Sequence, residues 1–204
     1  MALHIDPENA SLSIRLEKSK AALKEKEVAP DDGGPLIQRV LRLAERQECS
    51  QAVDLLRSGG QSPSTRNALG VCLMRNGQVA ESVNIFRNLV LNPGSTWERP
   101  EVPALYKRNF ATALLLSGLP AGCLDVLRSA GELEHPAAVR IRGAIKDWEK
   151  SLSWWRRWDW KLNQVEPPHC SIKISFTPGE FEHALAEENT AKASSRSDRP
   201  RGKS

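Results

Sequence analysis

Apolar residues recur every three or four positions through most of the chain, in blocks separated by proline- and glycine-containing breaks. Asp6-Pro7, Gly34-Pro35, Ser62-Pro63, Val102-Pro103, Leu119-Pro120 and His135-Pro136 each stand before such a block. Proline fits the first turn of a helix, where its missing N–H would have no partner anyway. Asp6 and Ser62 are also natural N-caps, because a short oxygen-bearing side chain can accept from a free N–H of the first turn. The pattern therefore predicts a succession of helices with no run of alternating strands before residue 170. After Pro167-Pro168, Ile172, Ile174 and Phe176 alternate with polar residues, which predicts a short strand or extended segment lying against the helical body.

These blocks divide the chain into four parts. Residues 1–35 hold a charged helix at about 7–28, with a thin stripe of Leu12, Leu16 and Leu23, and a helix-breaking linker, VAPDDGGP. Residues 36–162 form the helical body, and 163–186 an extended segment. Residues 187–204 have almost nothing to bury and read as a disordered basic tail.

The helical body contains an internal repeat. NALGVCLMRNGQVAESVNIFRNLVLNP (67–93) and RNFATALLLSGLPAGCLDVLRSA (108–130) share a set of offsets. An apolar residue precedes a small one (Leu69-Gly70, Phe110-Ala111), and an apolar residue follows one turn later (Leu73, Leu114). A turn glycine comes next (Gly77, Gly118), then a small residue (Ser82, Cys123) and a large apolar one four positions on (Phe86, Leu127). Small residues let paired helices cross closely while large ones fill the space beside them. A degenerate copy lies at 36–58, with Ala52 and Leu56 in the small and large places and Gln47 at the turn glycine.

The pattern resembles the tetratricopeptide repeat. It departs from the family in having Arg66 where tryptophan is usual, Pro93 one residue early, and a long insert, GSTWERPEVP (94–103), before the next copy. The resemblance implies an all-α fold: a short right-handed α-α solenoid of about three helix pairs, a Trp-rich C-terminal capping helix and flexible termini. It also implies a concave face lined by the first helix of each pair, here Asn67, Val71, Met74 and Arg75, then Arg108, Thr112, Leu115 and Leu116. Chaperone-binding members of the family hold a C-terminal carboxylate in a Lys/Asn/Arg clamp. The asparagine positions of such a clamp hold Val71 and Thr112, so that ligand is not expected. An apolar or amphipathic peptide is, this chain's own tail included.

Four of the six tryptophans fall within SLSWWRRWDWKLN, 151–163. Read as one helix over 136–162, Ile141, Ile145, Trp148, Leu152, Trp155, Trp158 and Leu162 share a face that would cover the last helix pair. Trp154 and Trp160 fall off that stripe among Arg156, Arg157 and Lys161. Three fates are open to them: a membrane-surface dock built from Trp154, Arg157 and Trp160, a stacking platform for nucleic acid, or cover by the 171–181 segment. Asp147, Glu149, Asp159 and the modest net charge of +4 argue against nucleic acid.

Composition adds limits. Apolar residues make up 40% of the chain, enough for a core, and 26% are charged. Cys49, Cys72, Cys123 and Cys170 lack the clustering of a zinc site and read as reduced thiols of a cytoplasmic protein. There is no basic start and apolar run of a signal peptide and no apolar run of ~20 residues. His169-Cys170 lacks an orienting acid, and Gly33-Gly34 and Gly59-Gly60 lack the lysine and the strand-to-helix setting of a phosphate loop. The sequence thus predicts a non-enzymatic, cofactor-free interaction module with a protein or peptide partner. Membrane docking is the alternative, and a subunit role in a larger assembly a third reading.

Overall fold

A computed structural model of the chain describes residues 34–167 and 170–182. The expected helix at 7–28, the Asp6 cap, His169 and the tail from 187 lie outside the described residues. Within them are eight helices and no strand: α1 Gly34–Glu45, α2 Cys49–Ser58, α3 Pro63–Arg75, α4 Val79–Val90, α5 Ala104–Leu116, α6 Pro120–Ala130, α7 Pro136–Ser151 and α8 Trp154–Asn163. Pro63, Pro120 and Pro136 open α3, α6 and α7. The Ser62 hydroxyl accepts from the Thr65 N–H at 3.1 Å, the expected cap.

Each helix from α1 to α7 packs on its sequence neighbours, and α1, α3, α5 and α7 also touch in succession. The turns inside the first three pairs repeat one hydrogen-bond pattern. Gln47 N donates to Ala44 O and Glu48 N to Leu43 O; Gly77 N donates to Met74 O and Gln78 N to Leu73 O; Gly118 N donates to Leu115 O and Leu119 N to Leu114 O. This double closure uses the last free carbonyls of the first helix and requires a left-handed residue at the turn. Gly77 and Gly118 adopt it at φ 78° and 82°, and Gln47 does so with a side chain at φ 61°.

Past the turn, the small and large positions behave alike in all three pairs. Ala52, Ser82 and Cys123 are buried, as are Leu56, Phe86 and Leu127 four residues on. At the α3–α4 crossing a Cβ on Gly70 would fall 2.5 Å from the Phe86 ring, and the Ser82 hydroxyl donates to Gly70 O at 2.8 Å. The helices approach this closely because one contributes no side chain there. The insert 94–103 closes as a loop through a Leu91–Glu98 bridge, with Lys107 of α5 paired to Glu98 at 3.0 Å.

One expectation is corrected. The single helix over 136–162 breaks at Leu152 and Ser153, which are both extended. The Arg157 guanidinium reaches back to the carbonyls of Glu149, Lys150 and Leu152 and satisfies acceptors that the end of α7 leaves free. The 171–176 segment forms no strand and bends at Ser175–Phe176, although its alternation holds, with Ile172 buried and Ser171, Lys173 and Ser175 exposed.

Two substitutions test this packing. Gly70→Ala forces a methyl group into the fully buried Phe86 ring and is expected to lower stability by about 1–3 kcal/mol in urea unfolding. Gln47→Gly relieves the left-handed strain at the first turn and should raise stability by roughly 0.5–1 kcal/mol in the same measurement.

Candidate functional site

Helix α5 is buried on every side from Leu105 to Leu115, yet that stretch reads LYKRNFATALL and includes polar groups. A buried polar group left without a partner costs about 1–3 kcal/mol, so each needs one. Lys107 pairs with Glu98, and the Thr112 hydroxyl donates to Arg108 O within the helix at 2.9 Å. The partners of Tyr106, Arg108 and Asn109 include groups of the non-strand segment 170–182, which runs across the face made by α3 and α5.

That segment passes the α5–α6 turn first, where the Cys170 carbonyl lies so near Gly118 that a Cβ there would clash. Just upstream, the Glu166 carboxylate accepts from the Ala121 N–H in the first turn of α6. The central contacts are to main chain. Arg75 Nε donates to Pro178 O and Nη2 to Gly179 O, both at 2.9 Å. Asn109 clamps Glu180 from both sides: its Nδ2 donates to Glu180 O and its Oδ1 accepts from Glu180 N, each at 2.8 Å. The same Nδ2 donates to Asn67 Oδ1 at 2.8 Å, tying α3 to α5 beneath the segment.

Side chains add to the grip. Arg108 donates through Nε and Nη2 to one Glu180 oxygen, at 3.3 and 3.0 Å, and through Nη1 to Glu132. Arg140 lies 3.9 Å from the other Glu180 oxygen. The Tyr106 hydroxyl donates to Glu182 at 2.9 Å. Phe181 is buried, with the Arg75 guanidinium 4.7 Å from its ring centroid, a cation–π distance. Burial pulls the Arg75 pKa below its ordinary value, the main cause, while Cys49 and Cys72 nearby pull the other way. Gly179 has φ +75°, and a Cβ there would fall 2.8 Å from Met74 Cε and 3.0 Å from both Val71 methyl groups.

Of the eight expected groove residues, Asn67, Val71, Met74, Arg75 and Arg108 thus meet the segment directly or support the residue that does. Thr112 turns back onto its own helix and Leu115 is sealed in the core, while Leu116 is half-buried at the end of α5. Tyr106 and Asn109 join the groove without belonging to the face that the repeat offsets mark. The available signal for them is a cluster of polar residues in a helix with no polar face. A cleft of about 800 Å³ remains open beside residues 174–178, walled by Ala44, Gln47, Cys49, Met74 and Phe176.

The tryptophans are arranged almost opposite to the expectation. Trp155 and Trp158, assigned to the buried stripe, are exposed, Trp155 by 76%; Trp160, expected off the stripe, is only 4% exposed and packs edge-on against Trp148 at 5.2 Å. The break at Leu152–Ser153 is the reason, since α8 does not continue the register of α7. Of the fates left open for Trp154, the structure shows exposure: the ring stacks edge-to-face with Trp155 and Trp158 at 4.4 and 6.0 Å. The trio Trp154, Arg157 and Trp160 is therefore no single surface, because Arg157 caps α7 and Trp160 is covered.

Candidate chemistry elsewhere is sparse. Burial pushes the Cys72 thiol up to about 12 and raises Cys123 as well; Cys170 is raised by burial and then by Glu166. Such thiols stay protonated near neutral pH and are poor nucleophiles. Among the described residues, no three His, Cys, Asp or Glu side chains cluster within metal-binding reach, and no helix is long and apolar enough to cross a membrane. A second cleft of about 760 Å³, under the 91–99 loop, is lined by Arg87, Asn88, Asn92, Trp97 and Arg99. No protein-family model, curated protein or solved structure matches the chain.

Proposed function

We propose that the protein is a non-enzymatic interaction module: a short right-handed α-α solenoid of tetratricopeptide type whose α3–α5 face binds an extended peptide of a partner. The recurrent left-handed turns and the buried small-then-large pairs support the solenoid reading. One observation carries the functional one. Arg75 and Asn109 hold residues 178–180 through main-chain atoms, four hydrogen bonds that involve no side chain of the held segment. A groove that grips backbone in this way recognises an extended chain first and side chains second, the division of labour seen when proteins bind peptide strands.

The test is a panning of displayed random peptides against the full chain. Selected peptides should lose about tenfold or more in affinity on Arg75→Ala or Asn109→Ala, the scale of one or two lost hydrogen bonds to a charged or buried group. Selected peptides that bind equally well to both variants would remove the groove from consideration.

A second reading is docking at an anionic membrane surface through α8. The exposed rings of Trp154, Trp155 and Trp158 beside Arg156 favour it, since tryptophan and arginine suit the lipid headgroup layer. Trp155→Ala/Trp158→Ala should then co-sediment with phosphatidylserine-containing vesicles several-fold less than wild type; equal sedimentation discards the reading.

A further inference from the structure

The groove is already filled, and what fills it specifies what else would fit. Residues 178–182 read Pro-Gly-Glu-Phe-Glu. The main-chain bonds involve no side chain of the segment, but the remaining contacts are selective. Position 179 must be glycine, because the backbone is left-handed there and lies against Val71 and Met74 without room for a Cβ. Position 180 faces Arg108, with Arg140 behind it, so an anionic side chain is favoured. Position 181 is buried beneath the Arg75 guanidinium, which suits an aromatic ring. Position 182 meets the Tyr106 hydroxyl, a donor, and so suits an acceptor.

We infer that the partner presents an internal extended segment of the form Gly-acidic-aromatic-acidic, and that residues 170–182 are a built-in copy of it which the partner must displace. This rests on the groove being a peptide site. It differs from recognition of a chain terminus, since every contact is to main chain or side chains inside the segment. Charge complementarity selects the occupant: three arginines, Arg75, Arg108 and Arg140, converge on a short stretch with two carboxylates. The short covalent link back to α8 keeps the built-in copy at a high effective concentration, of order millimolar for a short linker. An incoming peptide therefore binds with its intrinsic affinity reduced by the small fraction of molecules whose groove is open.

The measurement is fluorescence anisotropy of a labelled synthetic peptide spanning residues 170–182, added to the full chain. Wild type should bind it weakly. Glu180→Lys, which turns the built-in copy against Arg108, should bind it about tenfold tighter or more. Gly179→Val, which expels the copy by contact with Val71 and Met74, should do the same. Circular dichroism melts of both variants identify any loss of the helical body, and having two unrelated lesions guards against one that fails to fold. Adding Arg75→Ala to either should abolish the gain.

A peptide with both glutamates changed to lysine should bind the opened chain far more weakly. Equal binding of the two peptides overturns the partner chemistry while leaving the groove a peptide site. No gain on opening the groove overturns the displacement. If panned peptides also fail to bind, the peptide-site reading falls with it. A concentration-dependent dimer of the wild-type chain that is lost in Glu180→Lys would instead make a second copy the occupant, and that too overturns the assignment.

Discussion

The architecture turns on the burial of α5. From Leu105 to Leu115 every residue is out of solvent, and among them Lys107, Arg108, Asn109 and Thr112 carry polar groups that water cannot reach freely. Such groups are tolerable only if paired. Thr112 finds its partner within the helix, at Arg108 O, and the others find theirs elsewhere: Glu98 from the insert for Lys107, Glu132 from the segment after α6 for Arg108, and the main chain at Glu180 for Asn109. The insert, the α6–α7 connection and the extended segment are placed by this requirement as much as by apolar contact. The polar pairs set register, because sliding the segment by one residue would leave Asn109 and Arg108 unmatched together.

The same constraint holds residues 178–182 in place across α3 and α5. Asn67 and Asn109 hold each other before either meets the segment, so the clamp is preorganised and little rotamer freedom is lost when a chain enters. Emptying the groove without replacement would expose Arg108 and Asn109 to a half-dry site and uncover the faces that Ile172 and Phe181 seal. An open, unliganded state is therefore costly.

Much of this is legible in the amino-acid sequence. The helices follow from proline positions and three-to-four spacing, because both are local: a cap or a first-turn proline acts within one turn of the chain. The turn at Gln47 is readable only through its alignment with Gly77 and Gly118, since glutamine by itself gives no left-handed signal. Five of the residues that meet or support the 170–182 segment lie on the face that the tetratricopeptide resemblance implies. Asn109 does not, because the offset pattern marks where helices cross, whereas Asn109 is defined by a segment some seventy residues away that no local spacing reports.

The tryptophan segment shows the limit from the other side. Its spacing fits one continuous apolar stripe from Ile141 to Leu162, and a helix that long would bury Trp155 and Trp158. Periodicity assumes an unbroken helix, however, and Leu152–Ser153 carries no proline or glycine to announce a break. What favours the break is tertiary: Arg157 satisfies the carbonyl ends of α7, and Trp160 turns back onto Trp148. Burying one indole edge-on and capping one helix end compensate for the hydrogen bonds lost at the break. The outcome leaves three indoles facing solvent beside α7, on a part of the molecule distinct from the groove residues. The buried polar contacts to residues 178–182 lie on α3 and α5, whereas the exposed aromatic face lies on α8.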